Sequence, residues 1–121
     1  MKTQRRNGER LPRRFHTLLT EEVIEFLKTL DLKDKQKILS NIRKAEVVAD
    51  PELFKKLTED IWEFRTLYNR KHYRLLAFWD RREEVVVIAT HGFIKKNSKI
   101  PIKELERAIN IRNEYLMLKT K

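Results

Sequence analysis

The sequence predicts an α+β domain: an antiparallel β-sheet with a helical hairpin packed on one face and a C-terminal helix, in the order βααβββα. Three observations carry this. From Ile61 to Lys96 the chain is rich in β-branched and aromatic residues and is cut twice by short charged segments, Asn69-Arg70-Lys71 and Asp80-Arg81-Arg82-Glu83. That is the pattern of a three-stranded meander. Between Thr20 and Ala45 apolar residues recur at helical spacing in two runs separated by Asp31 to Asp34. Beyond the meander, Pro101 opens a last helical run.

At 121 residues the chain has length for one core and one domain. Its 28 Lys and Arg against 18 Asp and Glu give a net charge of +10 and favour an acidic partner such as RNA, DNA, a membrane surface or an acidic protein segment. Much of the helical charge needs no partner, but the excess gathers at the N-terminus, in the first turn of the meander and just after it. The absence of cysteine excludes a disulfide framework, a zinc-thiolate site and a thiol nucleophile. The apolar runs are too short to span a bilayer, and no signal-peptide apolar region follows the basic start, so no membrane partner and a cytoplasmic location are expected.

Taken in order, residues 1–14 read as a basic, disordered arm, a start-site extension or a nucleic-acid-binding tail, and residues 15–121 as a single domain. Phe15 to Leu18 suits a short edge strand. Thr20 with Glu21 and Glu22 starts a helix that runs to about Leu30 and buries Val23, Ile24, Phe26, Leu27 and Leu30. Asp34 is the expected cap of a second helix with Ile38, Leu39, Ile42 and Ala45 on one stripe. Asp50-Pro51 ends it, and Glu52 to Leu57 reads as a turn of helix. After the meander, His91 to Lys99 reads as a basic loop that leaves the sheet at Gly92. The last helix runs to about Met117.

The two faces of the meander differ in chemistry. Trp62 and Phe64 alternate with Glu63 and Arg65. A two-residue turn at Asn69-Arg70 pairs Phe64 with Leu75 and sets Arg65 across from Arg74. A second such turn at Arg81-Arg82 sets His91 opposite His72, on the arginine face. A one-residue change in either loop reverses the faces. Like charges directly opposite each other destabilise a hairpin, so Arg65 beside Arg74 points to a surface awaiting an anion, with Glu63 near enough to neutralise one of them.

Four segments in order, Leu57 with Ile61-Trp62-Glu63-Phe64-Arg65, Tyr73-Arg74-Leu75-Leu76, His91-Gly92-Phe93 with Lys95-Lys96, and Pro101 with Glu104 before Ala108, resemble the HigB-like branch of the RelE/ParE toxin superfamily. The likeness covers about residues 15 to 116. It implies the toxin of a type II toxin–antitoxin module, a metal-independent endoribonuclease (mRNA interferase) that cuts mRNA in the ribosomal A site by driving the ribose 2′-hydroxyl onto the adjacent phosphate. Its partners would be the ribosome, mRNA and a cognate antitoxin, typically a helix-turn-helix protein; no cofactor is implied. By position Arg74 matches the arginine that grips the scissile phosphate. Arg65 lies where such enzymes present basic residues, and Lys95 and Lys96 match a basic pair. The chain departs from the pattern in carrying Ile61 and Glu63 where ribosome-dependent members offer lysines. It also lacks a tyrosine soon after the basic pair, the next being Tyr115.

Metal-independent cleavage needs a base, an acid and cations for the phosphorane charge. Arg74 and Arg65 suit the last task, since a guanidinium fork fixes two phosphate oxygens. For proton transfer the candidates are His91 and Glu63, with His72 weaker; Lys95, in the basic pair, is a further catalytic candidate. A strand-end histidine also commonly bonds a backbone carbonyl, and a carboxylate flanked by two cations is a poor base, so the assignment stays open. Lys96, Asn97, Lys99, Arg70 and His72 are the candidate RNA contacts, and Tyr68 and Trp79 candidate stacking rings. The histidine spacings argue against a metal site. Two other readings fit the same chain, a ParE-like toxin that inhibits DNA gyrase without cutting RNA, and a basic RNA-binding domain with no toxicity.

Overall fold

The computed structural model describes residues 12–82 and 84–119. Its elements are β1 (His16–Leu19), α1 (Glu21–Lys28), α2 (Leu32–Val47), β2 (Phe54–Lys56), β3 (Trp62–Tyr68), β4 (Lys71–Asp80), β5 (Val86–Lys95) and α3 (Ile102–Lys119). The strands form one sheet in the order β1-β5-β4-β3-β2. The α+β class, the helical hairpin, the meander β3-β4-β5 and the C-terminal helix are as the sequence predicts.

The sheet edges differ from the expectation. β1 joins β5 in parallel, with His16 beside Val86 and Leu19 beside Ala89. The expected helical turn over Glu52 to Leu57 is corrected to a turn followed by a strand. Leu53 and Phe54 donate to the Asp50 carbonyl at 2.9 and 3.0 Å, and then the chain extends, with Phe54 paired to Phe64, Lys55 to Glu63 and Lys56 to Trp62. Aromatic packing explains the outcome, because the Phe54 ring stacks on Phe64 at 4.5 Å and Trp62 at 4.9 Å between centroids. For residues 1–11 the expected arm lies outside the described residues. Arg14 is held in the fold, its Nη2 donating to the Ala45 carbonyl at 2.6 Å.

α1 and α2 pack on one face of the sheet, where Val23, Leu27, Ile38, Ile42 and Ala45 meet Phe64, Tyr73, Leu75, Ala77, Val87 and Ala89. Thr20 caps α1 as expected, accepting from Val23 N at 3.3 Å. Ile24, expected inside, is exposed. The α2 cap is Asp31 rather than Asp34. Asp34 turns inward, is only 2% exposed and accepts a hydrogen bond from the Tyr73 hydroxyl. Trp79 is half-buried against the core, its ring packed edge-on to Phe15 at 5.2 Å and Trp62 at 5.6 Å, with Arg81 over the ring at 4.1 Å. Gly92 lies within β5 rather than at a departure from it. A Cβ there would come within 2.5 Å of both Leu75 Cδ2 and Phe26 Cδ2, so the glycine lets α1 approach the sheet.

α3 lies on the opposite face, with Ala108 in a second cluster with Ile61 and Leu76, flanked by Leu57, Phe93, Ile100 and Leu105. Tyr115 donates to Asp80 at 2.8 Å, and Arg112 pairs with Asp60 at 3.5 Å.

The first hairpin has the predicted register. Asn69 and Arg70 turn with φ 54° and 64°, Phe64 faces Leu75 and Arg65 faces Arg74. The second does not. β4 continues to Asp80, which pairs with Val86, and His72 faces Lys95 rather than His91. Asp80 sets the turn by gripping Arg82, accepting from its Nε at 3.0 Å, its Nη2 at 3.1 Å and its backbone N at 3.1 Å. The longer loop alone would place His91 opposite Leu75, in the main core. A bulge at Thr90 shifts it back, so His91 faces Leu76 and stays on the arginine face. Threonine hydroxyls satisfy the bulge: Thr90 Oγ1 donates to the Leu76 carbonyl at 3.0 Å, and Thr20 Oγ1 to the Thr90 carbonyl at 2.9 Å.

Candidate nucleic-acid interface

Strand alternation carries the functional side chains to the α3 face, beyond the part that α3 packs against. β3 supplies Glu63 and Arg65, β4 supplies Arg74 and His72, β5 supplies Lys95, and β2 adds Lys55, paired to Glu63. At the centre Glu63 is 3% exposed and touches both arginines, Oε1 at 3.2 Å from Arg74 Nε and Oε2 at 3.5 Å from Arg65 Nε. Neither approach has hydrogen-bond geometry, and Glu63 Oε1, Arg65 Nε and Arg74 Nε are buried without a hydrogen-bond partner. The charges attract without being fully satisfied.

The rest of each guanidinium is turned elsewhere. Arg74 Nη1 donates to the Tyr73 carbonyl at 3.0 Å and Arg65 Nη1 to the Pro51 carbonyl at 3.3 Å. Among the described residues, neither arginine has a hydrogen-bond partner at Nη2. Arg74 is 3% exposed, whereas the Arg65 side chain keeps 24% of its surface. Burial draws the Arg74 guanidinium below its ordinary value, and the Glu63 charge opposes this. Lys95 is likewise lowered, first by burial and then by the Arg74 charge, with Arg65 and Lys55 acting in the same direction. Four cations thus gather about the Glu63 carboxylate, with Glu52 also acting on Arg74, and the field they leave over is positive.

The other predicted residues fall around this cluster. His72 is exposed beside Lys95, and Lys96, Asn97 and Lys99 are exposed in the segment that follows β5. Arg70 stands at the hairpin tip, in the left-handed conformation that glycine usually occupies. Tyr68, near that tip, lines a cavity of about 620 Å³ with Asp31, Leu32, Lys33, Asp34 and Asn69. That cavity is acidic, unlike the arginine cluster.

His91 stands apart. It is 1% exposed, its Nε2 lies 2.9 Å from Glu104 Oε1 on α3, and its Nδ1 lies 3.0 Å from Thr90 Oγ1. Burial holds its pKa below the ordinary histidine value, with the Glu104 bond opposing. The position suits anchoring α3 to the sheet better than proton transfer to RNA.

Sequence reasoning missed Lys55, because Phe54-Lys55-Lys56 was read as helical; as a strand it would have placed a lysine beside Glu63. Among the described residues no group of three or more His, Cys, Asp or Glu is gathered to hold a metal ion, and no helix is long and apolar enough to cross a membrane.

No curated protein sequence matches the chain. A family model does, that of the phage-derived Gp49-like proteins (DUF891), over residues 25–113, a span that runs from α1 through the arginine cluster to α3. The chain therefore belongs to the Gp49-like family, a RelE-like toxin family of the toxin–antitoxin context, for which an antitoxin is the implied partner.

Proposed function

We propose that this protein is a toxin of the HigB-like kind, a cytoplasmic endoribonuclease that cuts mRNA on the ribosome without a metal and is restrained by a helix-turn-helix antitoxin. The observation that carries the reading is the cluster of Arg65, Arg74, Lys95 and Lys55 on adjacent strands, with more positive charge than Glu63 and Glu52 neutralise. A phosphate diester is an anion such a surface can hold. Arg65 and Lys95 reach solvent and would meet the phosphate first, with Arg74 reinforcing them from below. Lys95 has a lowered pKa and so gives up a proton more readily than an ordinary lysine, which suits it to protonating the departing 5′ oxygen. His72, exposed directly across from Lys95, is the nearest imidazole for the 2′-hydroxyl proton. His91, covered by α3, is given no catalytic role. Lys96, Lys99 and Arg70 extend the cationic surface along the RNA backbone, and Asn97 adds an amide that can hydrogen-bond to it.

The test is primer extension on a defined mRNA in a reconstituted translation system, with Arg65→Ala and Lys95→Ala beside the wild type. Cleavage within A-site codons that requires ribosomes and is lost in both variants supports the reading. Intact mRNA at saturating protein overturns it, and inhibition of gyrase supercoiling by the same preparation would move the assignment to the ParE-like reading.

A further inference from the structure

We propose that Glu63 is a positioning residue that gives up anion affinity in exchange for placement: its carboxylate holds Arg65 and Arg74 by their Nε edges, and so leaves the two Nη2 groups for an incoming phosphate. This rests on the phosphate-binding reading of the cluster. Glu63 is buried between the two guanidiniums, and its contacts go to Nε on both sides, at 3.2 and 3.5 Å. Each Nη1 is held by a backbone carbonyl, of Tyr73 and of Pro51. Of the three nitrogens of each fork, Nη1 is therefore held by a hydrogen bond, Nε lies against the Glu63 charge, and Nη2 has no hydrogen-bond partner among the described residues.

Three buried polar atoms at one point, Glu63 Oε1, Arg65 Nε and Arg74 Nε, lack full hydrogen bonds, and this is expensive to keep unless something is gained. The gain is mutual. Without an anion, Arg65 and Arg74 face each other across β3 and β4 as like charges. With it, they stand at a fixed separation. The cost is borne in binding, since a phosphate entering the cluster meets a carboxylate of its own sign a few ångströms below.

Opposite effects on affinity and turnover follow. Glu63→Gln keeps the shape and an acceptor oxygen but loses the charge. It should bind a non-cleavable 2′-O-methyl oligonucleotide on the order of tenfold more tightly at low salt, while cleaving RNA more slowly at saturation. Glu63→Asp keeps the charge but withdraws it by one methylene, so affinity should stay near the wild type while turnover falls. A merely structural role predicts instead that both variants lose affinity and turnover together, in step with a lower Tm.

Titration with inorganic phosphate, followed by the NMR signals of the arginine Nε–H groups, separates this idea from the nuclease assignment. If RNA is never cut but Glu63→Gln binds phosphate more tightly than the wild type, with both Nε–H signals shifting, the positioning role stands and the nuclease reading fails. If phosphate binds Glu63→Gln no better than the wild type, or the Nε–H signals of Arg65 and Arg74 are unmoved by saturating phosphate, the proposal is overturned. Should Glu63→Gln fail to fold, Glu63→Asp decides alone: unchanged turnover refutes the positioning role.

Discussion

Tyr73→Phe removes one oxygen from the core and should expose the energetics of the Asp34–Tyr73 pair. The Asp34 carboxylate is 2% exposed, and the Tyr73 hydroxyl is its only hydrogen-bond donor among the described residues. Deleting that donor leaves a buried carboxylate short of a partner, at a cost of about 1–3 kcal/mol near neutral pH. Alkaline titration supplies an independent check. Burial first, then the bond to Asp34, raise the Tyr73 hydroxyl from 10.0 to about 12. A group that holds its proton more tightly when folded stabilises the fold fully below the unfolded value, and that stability is lost as pH rises from about 10 towards 12. The whole shift corresponds to roughly 2.7 kcal/mol, of which about 1.4 kcal/mol is gone at pH 11. Urea unfolding of both proteins at pH 8 and pH 11 measures the difference. The gap between wild type and Tyr73→Phe should narrow by that amount. A gap below about 0.5 kcal/mol at pH 8, or one that widens with pH, refutes the reasoning.

Three further outcomes are expected. Gly92→Ala drives a methyl against Leu75 and Phe26 and should cost about 1–3 kcal/mol in urea unfolding, part of it recovered when Phe26→Ala is added. The lowered His91 pKa means that the unfolded chain takes the proton first. Stability is therefore full above about pH 6.5 and falls as pH drops from there towards the depressed folded value, a slope in Tm that His91→Gln should lack. Arg70→Gly relieves a left-handed arginine at the hairpin tip and should stabilise the fold by about 0.5–1 kcal/mol, read from thermal unfolding.

The hairpin of β3 and β4 was legible because a two-residue turn leaves one register, and apolar alternation in Trp62-Glu63-Phe64-Arg65 then fixes the faces. That was enough to bring Arg65, Arg74 and Glu63 together. β5 was not legible in the same way. Its register depends on Asp80 clamping Arg82 and on one extra residue at Thr90, and neither a side-chain clamp nor a bulge disturbs the pattern Val86-Val87-Ile88-Ala89 that announces the strand. The two departures offset each other in parity, which is why His91 lies on the expected face while facing Leu76 instead of His72. Lys55 was lost to a local signal, since Asp50-Pro51 does form a turn, and only the distant rings of Trp62 and Phe64 draw Phe54 into the sheet.

On the phosphate-binding reading proposed above, the cluster must meet two demands that pull against each other. To grip a phosphate, a surface needs converging cations. To fold before any phosphate arrives, it must not hold them together unopposed, least of all when one, Arg74, is almost wholly out of water. A lysine at position 63 would serve the first demand and aggravate the second, adding a fifth positive charge between two arginines that already face each other. A carboxylate there reverses the balance: the sheet can close by itself, and the positive field that remains comes from Lys55, Lys95 and the exposed end of Arg65 at the rim. On the phosphate-binding reading, a carboxylate at position 63 favours a site that is preorganised before its ligand binds.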